Sequence, residues 1–168
     1  MAVVQDGLCY CLNPRPNIFN QLRTPATVFA LSRESVCRYK GYEILTKLGI
    51  CIKYSNISVR WDDARGLCNQ DGGYLINLNT AAKATAILNM SLAYNVDLIH
   101  IGGYMSIFTT WYNWTRGGVI DGQFWAASEP SPLVLKEYCM AMYKKDDILE
   151  FGNLGCSLKR PYLCELLL

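Results

Sequence analysis

The sequence predicts one domain that combines helices with strands and is crosslinked by disulfide bonds. Segments with the two-residue period of a strand and segments with a helical period both occur after Cys37. The chain of 168 residues is 51% hydrophobic, which is enough for one domain with a sizeable core. It contains eight cysteines, and only Cys9 and Cys11 lie close together in sequence. Structural zinc sites use ligands paired a few residues apart, so this spacing favours disulfide bonds over metal sites.

Residues 1–36 differ from the rest of the chain and are predicted to be mostly loop. Prolines in the stretch 13–25 interrupt any periodic pattern. Cys9 and Cys11 are too close for an easy mutual bridge, given the Cα separation that a relaxed disulfide requires. We therefore interpret residues 1–36 as a linker, or as the tail of a cysteine-bearing module that lies upstream. Residues 37–168 are interpreted as the folded domain.

The first strand and the first helix of the domain are predicted between residues 50 and 73. Hydrophobic and other side chains alternate over residues 50–54, as in a strand. We expect Ser58 to be the N-cap of the helix that follows. The apolar face of this helix consists of Trp61, Ala64 and Cys68. Residues 71–73, Asp-Gly-Gly, end the helix because glycine accepts the left-handed conformation at a helix C-terminus.

A second helix is predicted next, with Asn79 or Thr80 as its N-cap. Its apolar face consists of Ala84, Ile87 and Leu88. Asn89 lies well round the helix from this face and begins an Asn-X-Ser sequon, so a glycan on Asn89 would point to solvent. Two further sequons begin at Asn56 and Asn113. Three sequons are a modest excess over chance and support passage through the secretory pathway.

The remainder of the domain is predicted as strands around a long aromatic loop. The hydrophobic run 98–101 is typical of a buried strand, and it ends at the glycine pair 102–103. Residues 104–132 show little periodicity. The tryptophans of this stretch are Trp111, Trp114 and Trp125. A long loop with such large side chains must pack on itself to stay ordered. Strand patterns return at residues 138–143 and 162–166.

Charge and hydropathy exclude several classes of function. The net charge of +2, with scattered lysines and arginines, excludes nucleic-acid binding. No apolar run approaches the roughly 18 residues of a membrane span. Residues 1–6 lack the basic end and apolar middle of a signal peptide. The cysteines and sequons nevertheless indicate an extracellular environment, so we expect a secreted protein, or the ectodomain of a larger protein whose earlier part precedes this chain.

Taken in order, these features resemble those of the C-type lectin-like domain. The resemblance covers about residues 37–166, and the ordered set is specific although each element alone is weak. Its first half consists of Cys37, Gly41-Tyr42, Cys51, Trp61-x-x-Ala64-x-x-x-Cys68 and Gly72-Gly73-x-Leu75. Its second half consists of Ile101-Gly102, Trp114-x-x-Gly117, Phe124-Trp125, Glu129-Pro130, Cys139, Cys156 and Tyr162-Leu163-Cys164-Glu165.

The resemblance implies an α+β fold with two helices, antiparallel sheets and a long loop that carries the ligand site. It also implies the long form of the domain, with three disulfide bonds. These are Cys37–Cys51, Cys68–Cys164 and Cys139–Cys156. The spacing of eight cysteines would by itself leave 105 pairings open.

The resemblance also implies a ligand site. In sugar-binding members of this family, calcium and sugar bind to a Glu-Pro-Asn type triplet, an acid two residues before the next cysteine, and a Trp-Asn-Asp triplet. The corresponding ligand-binding residues here are Glu129, Pro130, Ser131, Glu137 and Asn153. Among them, Glu129, Glu137 and Asn153 are the candidate calcium ligands. The resemblance further implies that the peptide bond before Pro130 is cis.

Departures from the family pattern predict a weak calcium site or none. Ser131 replaces the asparagine of the first triplet, and a hydroxyl is a poorer ligand than an amide carbonyl. Phe151-Gly152-Asn153 stands in place of Trp-Asn-Asp, so one side chain and one charge are missing. Calcium affinity follows charge count and rigidity. The nearby acids 146, 147 and 150 either compensate or, as we interpret them, form a solvated turn.

The aromatic residues of the loop allow two interpretations. Trp111 or Trp114 can stack on the apolar face of a sugar ring, or they form the core of the loop, which is the commoner role. His100 takes a position that the family commonly gives to tryptophan. We interpret it as a packed, hydrogen-bonded residue and not as a ligand.

The function predicted from these residues is extracellular glycan or glycoprotein recognition, with impaired or absent calcium dependence. The alternative is a lectin-like domain that binds a protein partner without calcium. An enzyme is disfavoured because His100 is the only histidine and the cysteines are expected to be oxidised, which leaves no base beside a nucleophile. The pair Glu129 and Glu137 resembles a glycosidase pair only in type, and calcium ligation explains its spacing better.

Overall fold

A computed structural model describes residues 2–5, 8–11, 29–94, 98–106, 110–120, 125–131, 138–145 and 148–168 of the chain. The α-helices of this part are α1 (Arg33–Tyr39), α2 (Trp61–Gln70) and α3 (Ala81–Tyr94), with a 3-10 turn at Thr46–Leu48. The strands are β1 (Ala2–Gln5), β2 (Leu8–Cys11), β3 (Phe29–Ala30), β4 (Glu43–Leu45), β5 (Ile50–Val59), β6 (Tyr74–Leu75), β7 (Leu98–Met105), β8 (Tyr112–Trp114), β9 (Cys139–Lys145), β10 (Ile148–Leu154) and β11 (Arg160–Leu167). The predicted α+β class is therefore confirmed.

One sheet of eight strands organises the domain. Its order is β10-β9-β7-β11-β5-β4, with β6 paired to β11 and β8 paired to β7. Its strand pairs are antiparallel except for β7 with β11, where Tyr162 lies opposite His100 in a parallel arrangement. The prediction of antiparallel sheets was therefore wrong for this central pair. The long strand β5 pairs with β11 over most of its length and so joins the two ends of the domain.

The stretch 1–36 contains more regular structure than its composition predicts. Strands β1, β2 and β3 form a separate three-stranded sheet, and α1 begins at Arg33. Helix α1 adds to the two helices that were predicted. Its N-cap is Ser32, whose side chain accepts a hydrogen bond from the backbone N–H of Ser35 at 3.1 Å. Because α1 carries Cys37, the helix is held to β5 by the Cys37–Cys51 disulfide.

Helix α2 begins later than its capping pattern predicts. Strand β5 continues through Ser58 to Val59, so Ser58 is not a cap, and the extended residue before the helix is Arg60. Pairing of Arg160 with Val59 keeps this end of β5 in the sheet and outweighs the local preference of serine for a cap. The predicted end is correct, since Asp71 is the C-cap and Gly72 has a positive φ of 82°. Of the two predicted N-caps of α3, Asn79 and Thr80, the structure shows Thr80, whose hydroxyl accepts from the N–H of Lys83 at 3.2 Å.

Strand β7 does not end at the glycine pair 102–103 but continues through it to Met105. The glycines are needed for close packing and not for a turn. A Cβ at Gly102 would overlap the side-chain oxygen of Asn77, and one at Gly103 would overlap the sulfur of Met140. Only glycine lets the neighbouring segments approach the middle of this strand so closely.

The core lies on both sides of the sheet and is linked by Trp61. A larger cluster of buried side chains includes Ile76, Ile87, Ile101, Met140 and Phe151. A second cluster contains Trp61, Leu75 and the buried cysteines. The indole N–H of Trp61, only 2% exposed, donates to the carbonyl oxygen of Ile101 at 2.8 Å. This bond satisfies the buried indole and ties α2 to β7.

The three predicted disulfide bonds, Cys37–Cys51, Cys68–Cys164 and Cys139–Cys156, are all present. Cys68–Cys164 joins α2 to β11 and closes a loop with a sequence separation of 96 residues. Cys139–Cys156 joins the start of β9 to the segment after β10, with a separation of 17 residues. The first of these bonds therefore encloses most of the domain, while the second holds only the strand pair beside the long loop.

A buried ion pair fixes α3 against the sheet. The carboxylate of Glu165, in β11, is fully buried and accepts a hydrogen bond from the ammonium of Lys83, in α3. The same ammonium also donates to the carbonyl oxygen of Asn77 at 3.2 Å. The guanidinium of Arg116 lies 3.7 Å from the other oxygen of Glu165. The charge of this carboxylate is therefore compensated entirely by side chains of the domain itself.

Candidate functional site

The segment 125–131 is positioned by strand β10. Trp125 forms a bridge with Phe151, and the N–H of Ala126 donates to the carbonyl oxygen of Phe151 at 2.9 Å. The N–H of Glu129 then donates to the carbonyl oxygen of Ala126 at 2.9 Å, which makes a turn. The peptide bond between Glu129 and Pro130 is cis, as the resemblance implies. The segment thus runs beside β10 and brings Glu129 and Ser131 to the end of the triplet 151–153.

Glu129, Ser131 and Asn153 form one hydrogen-bonded cluster. The carboxylate oxygen Oε2 of Glu129 accepts from the backbone N–H of Ser131 at 2.9 Å and from that of Asn153 at 3.3 Å. The side-chain oxygen of Asn153 accepts from the N–H and from the hydroxyl of Ser131, at 2.7 and 3.0 Å. The amide nitrogen of Asn153 donates to the carbonyl oxygen of Ser131 at 3.3 Å. The predicted site residues that the structure describes therefore do come together.

The side-chain oxygen of Asn153, a candidate calcium ligand, already accepts hydrogen bonds within the cluster. An amide oxygen has two lone pairs, and both donors from Ser131 point at the side-chain oxygen of Asn153. A calcium ion needs six to eight oxygen ligands. Within the described part of the chain, no three His, Cys, Asp or Glu side chains converge as a metal site requires. The described residues by themselves therefore do not fit a full calcium shell.

Gly152 also disfavours a calcium site, because it has no side chain at a position where the family pattern places a ligand residue. A Cβ at this position would lie 3.5 Å from the carboxyl carbon of Glu129 and 3.2 Å from the ring of Tyr143. Glu129 and Tyr143 therefore pack across the bare backbone of Gly152. Burial, and then the charges of Glu150 and Glu129, raise the pKa of Tyr143 above its usual 10.0.

The remaining predicted acids are placed only in part. Glu137, Asp146 and Asp147 lie outside the described residues. Glu150 is half-buried in β10, directly opposite Tyr143 on β9, and so belongs to a strand and not to a solvated turn. Alternation along β10 puts Glu150 on the same face as Gly152, the face over which Glu129 packs. Two carboxylates therefore approach Tyr143 from the same side of the strand.

A cleft of about 340 Å³ adjoins this cluster, and we call it the aromatic cleft. It is lined by Met105, Thr110, Trp111, Tyr112, Ile120, Trp125, Pro130 and Ser131. Met105, Tyr112 and Ile120 are buried and form its floor, whereas the side chain of Trp111 is 52% exposed. The cleft thus combines an exposed indole with the hydroxyl-bearing residue of the cluster.

The other tryptophans of the loop have structural roles. Trp114 is only 4% exposed and meets the ring of Phe151 edge to face, with ring centres 5.9 Å apart. Trp125 packs against Tyr112 in a similar way at 5.1 Å. These two indoles form the core of the loop, as one interpretation of the sequence predicts. Trp111 alone among the three tryptophans 111, 114 and 125 presents about half of its surface to solvent.

His100 is a packed residue, as predicted. Its side chain is fully buried, and Nε2 lies 3.0 Å from the carbonyl oxygen of Leu158. Burial lowers the pKa of His100 below its usual 6.5, and the positive charge of Arg160 acts in the same direction. Neutral imidazole is therefore the stable form inside the domain. The hydrogen bond described for His100 goes to the backbone of Leu158 and not to Glu129, Ser131 or Asn153.

The sequon asparagines are placed as follows. Asn56, in β5, and Asn89, in α3, are exposed, and Asn113, in β8, is half-buried. The amide of Asn113 donates to the backbone carbonyl oxygen of Trp111 at 3.3 Å. Glycosylation at these three positions stays a prediction.

Sequence reasoning missed the residues that shape the cleft. Met105, Tyr112 and Ile120 lie within or beside predicted loop, and their hydrophobic character alone does not distinguish a cleft floor from ordinary core. The alternation of hydrophobic and polar side chains over residues 112–114 was the sign of strand β8 that the sequence offered.

In the described part of the chain, no helix combines the length and apolarity that a membrane crossing requires.

Comparison with known proteins gives consistent matches. The family model of the lectin C-type domain matches residues 57–166. C-type lectin lectoxin-Phi1 from Philodryas olfersii is 23% identical over 118 residues, which are 68% of this chain and 76% of the relative. Both of these matches span most of the domain and so do not depend on a short motif.

Solved structures show the same fold at low sequence identity. Human lithostathine superposes with a TM-score of 0.67 at 18% identity, over 77% of this chain and 98% of that chain. A calcium-independent type II antifreeze protein gives 0.64 at 20% identity, over 76% and 92% of the two chains. The complex of SPL-1 with GlcNAc gives 0.65 at 22% identity, over 75% and 92%. Structures of this fold therefore include proteins of different named functions.

Proposed function

The chain belongs to the C-type lectin domain family, and on that basis we propose that it is an extracellular carbohydrate-recognition module that binds glycans with little or no help from calcium. The proposed ligand site is the aromatic cleft together with Ser131 at its edge. Trp111 would stack on the apolar face of a sugar ring, and the polar groups of the Glu129 cluster would contact its hydroxyls.

The observation that carries the proposal is the placement of Trp111. Large aromatic side chains of a packed loop are normally buried, yet this indole is 52% exposed at the mouth of a cleft of about 340 Å³. That volume lies within the roughly 300–1,000 Å³ range of small-molecule sites. An indole with one apolar face in water loses unfavourable hydration when a sugar ring covers it.

The hydrogen bonds of the cluster support weak or absent calcium dependence. The side-chain oxygen of Asn153 already accepts two hydrogen bonds from Ser131, and Gly152 offers no side chain. A cation would have to displace these N–H and O–H donors, which costs the bonds they make. Ser131 and Asn153 are instead oriented by the protein itself, as a sugar site without a metal requires.

The relatives agree with sugar as the ligand class. One solved neighbour is in complex with GlcNAc, and the curated relative lectoxin-Phi1 is a C-type lectin. An enzyme finds no support in the site. His100, the only histidine of the chain, is fully buried, and the six described cysteines of the domain are in disulfides.

A glycan array probed with the full chain, with and without a chelator, tests both parts of the proposal. We expect binding to a defined set of glycans that the chelator leaves unchanged within about twofold, because no ion contributes to the free energy of binding. Loss of all signal in the chelator would contradict calcium independence while leaving glycan binding intact. Absence of signal in both conditions would contradict the function itself.

Trp111→Ala identifies the cleft as the site. Removing the stacking surface should weaken binding of the best array glycan by up to about tenfold, since aromatic contacts are worth roughly 0.5–1.5 kcal/mol beyond the buried area. Tyr39→Ala is the matched control, because Tyr39 is an aromatic residue 88% exposed on α1, away from the cleft. Equal affinity of the two variants would remove Trp111 from the proposed site.

The second candidate is recognition of a protein partner without calcium. It is favoured by one observation: the donors and acceptors described at Glu129, Ser131 and Asn153 are largely directed at one another. A surface of that kind presents fewer polar groups for sugar hydroxyls. Capture of a glycoprotein that persists after enzymatic removal of its glycans would favour this candidate, and loss of capture would favour the first.

A further inference from the structure

A second cleft lies on the other face of strand β7, and we call it the Arg65 cleft. Its volume is about 270 Å³, and it is lined by Arg65, Asn69, Tyr74, Leu75, Tyr104 and Thr115. Tyr104 lines this cleft whereas the next residue, Met105, lines the aromatic cleft. Consecutive side chains of a strand point to opposite faces of the sheet. The two clefts are therefore separate sites.

The first wall of the Arg65 cleft is the exposed side of α2. Arg65 and Asn69 are four residues apart and so lie one above the other on the helix. The guanidinium of Arg65 lies 5.2 Å from the ring centre of the buried Trp61, and this contact holds it at the mouth of the cleft. Its ion pair with Asp62, at 3.1 Å, joins two largely exposed side chains. Such a surface pair is worth little and is readily exchanged for another anion.

A second guanidinium packs against an aromatic ring that lines the cleft. Arg116 follows Thr115 and lies 5.2 Å from the ring centre of Tyr74, which lines the cleft. It is 30% exposed and reaches 3.7 Å from the buried carboxylate of Glu165. That carboxylate is also paired with Lys83, so two cations face one anion on this side. With the Arg65–Asp62 pair included, three cations face two anions among these side chains, which leaves one positive charge in excess.

We propose that the Arg65 cleft binds a single sugar ring that carries a carboxylate or a sulfate. Guanidinium groups recognise these planar or multidentate anions through paired N–H donors, and each aromatic contact keeps one guanidinium preorganised. The volume is slightly below the range of roughly 300–1,000 Å³ for larger ligands, which limits the occupant to about one ring. Tyr74, 40% exposed, offers an aromatic face, and Asn69 offers an amide for ring hydroxyls.

A glycosylation sequon lies beside the Arg65 cleft. Asn113, a sequon asparagine, lies directly opposite Tyr104 in the β7–β8 pair. Directly opposite residues have Cβ atoms roughly 4.5–5.5 Å apart, so a glycan on Asn113 would stand next to the cleft. The measurements are therefore made on the enzymatically deglycosylated chain.

The experiment is a titration of the isotope-labelled full chain, followed by amide chemical shifts. The probes are methyl glucuronide and glucose 6-sulfate, with uncharged methyl glucoside as the reference. We expect the acidic sugars to bind at least about tenfold more tightly than the neutral one, because a guanidinium donates stronger hydrogen bonds to a charged group than to a neutral hydroxyl. The largest shifts are expected at Asn69, Tyr74 and Thr115.

Variants separate this site from a general charge effect. Arg65→Gln and Arg116→Gln should each weaken the acidic sugars about tenfold. Arg38→Gln, which removes the same charge from exposed α1, should leave their affinity unchanged. If Arg116→Gln lowers the melting temperature, its loss of affinity reflects loss of stability, and the test then depends on Arg65→Gln. Arg65 makes no described contact with the buried Glu165 pair.

Three results would overturn the proposal. They are equal binding of neutral and acidic sugars, equal loss of affinity in the Arg38 and Arg65 variants, and no binding of the acidic probes. The proposal does not depend on the aromatic cleft, so Trp111→Ala should weaken array binding while leaving the affinity for methyl glucuronide unchanged. Loss of both activities in that variant would also contradict two separate sites.

Discussion

Two glutamates of the domain show how different the surroundings of the same side chain can be. Glu165 is fully buried and is compensated by Lys83, with Arg116 at 3.7 Å. Glu129 is half-buried beside the aromatic cleft, and the bonds described for its carboxylate come from the backbone N–H groups of Ser131 and Asn153. The first carboxylate has a counter-ion inside the fold, whereas the second has neutral donors.

The difference separates a structural group from one that is open to change. A fully buried charge must keep its partner, because desolvation would otherwise cost several kcal/mol. A half-buried carboxylate held by N–H donors can exchange a donor for a sugar hydroxyl at little net cost. The hydrogen bonds of Glu129 can therefore be exchanged, as the proposed glycan site requires, while the Lys83–Glu165 pair is constrained by stability.

The largest expected effect concerns the disulfides of the two regions. Cys68→Ala with Cys164→Ala should lower the free energy of unfolding by about 4.7 kcal/mol, the chain-entropy value for a loop near 100 residues. Cys139→Ala with Cys156→Ala, beside the cleft, should lower it by about 3 kcal/mol, since that loop is near 15 residues. Urea denaturation measures both. Equal losses would show that packing around the bonds, and not loop length, sets their contribution.

The next effect tests the buried carboxylate. Glu165→Gln should lower the free energy of unfolding by about 3–5 kcal/mol, because Lys83 is left as a buried charge without its partner. Adding Lys83→Met to this variant removes the second charge and should recover part of the loss. Urea denaturation of the single and double variants gives the coupling. A double variant less stable than the single one would contradict the role given to the pair.

A smaller effect is expected from pH. Because the folded state lowers the pKa of His100 below 6.5, the unfolded chain binds a proton more readily than the folded one. Stability should therefore fall as pH drops below about 6.5 and stop falling once the folded-state pKa is passed, with a slope of at most about 1.4 kcal/mol per pH unit.

His100→Gln is the control for this pH effect, since glutamine keeps a donor for the carbonyl oxygen of Leu158 but does not titrate. Thermal denaturation between neutral pH and pH near 5 compares the two proteins. An unchanged pH slope in the variant would assign the effect to another group.

The smallest effect on the free energy of unfolding is expected at Glu129, the half-buried glutamate. Glu129→Gln keeps an oxygen that can accept from Ser131 and Asn153 and should cost only about 1 kcal/mol of stability. The same substitution thus differs several-fold between positions 129 and 165. Thermal denaturation of the wild-type and variant chains in chelator and in excess calcium completes the test. A calcium-dependent rise of melting temperature in the wild type alone would show that Glu129 holds an ion.

Local patterns predicted helices α2 and α3 and strands β5, β7, β9 and β11, but not α1 or the other strands of the described chain. The helical faces around Trp61 and Ile87, the glycine end of α2 and the Thr80 cap depend on neighbours in sequence, so periodicity and capping chemistry predicted them. The start of α2 was wrong because pairing of β5 with β11 extends the strand through Ser58. Such pairing joins residues far apart in the chain, and no local pattern reports it.

The candidate site was predicted in composition but not in arrangement. The residues Glu129, Ser131 and Asn153 were chosen by resemblance, and the structure brings them together. Their mutual hydrogen bonds, and the exposure of Trp111 against the burial of Trp114, could not be predicted. Burial is a property of what packs against a side chain, and the two tryptophans are only three residues apart in the same loop.

By itself, the sequence determined the class of fold, the family and the residues available to a ligand, because cysteine order, glycine positions and hydrophobic period are properties of the chain alone. Only the tertiary structure decided which oxygen atoms already have donors and which aromatic faces meet solvent. It also decided that Tyr104 and Met105 line separate clefts. These outcomes depend on contacts between segments that are far apart in sequence, and such contacts form only when the chain folds.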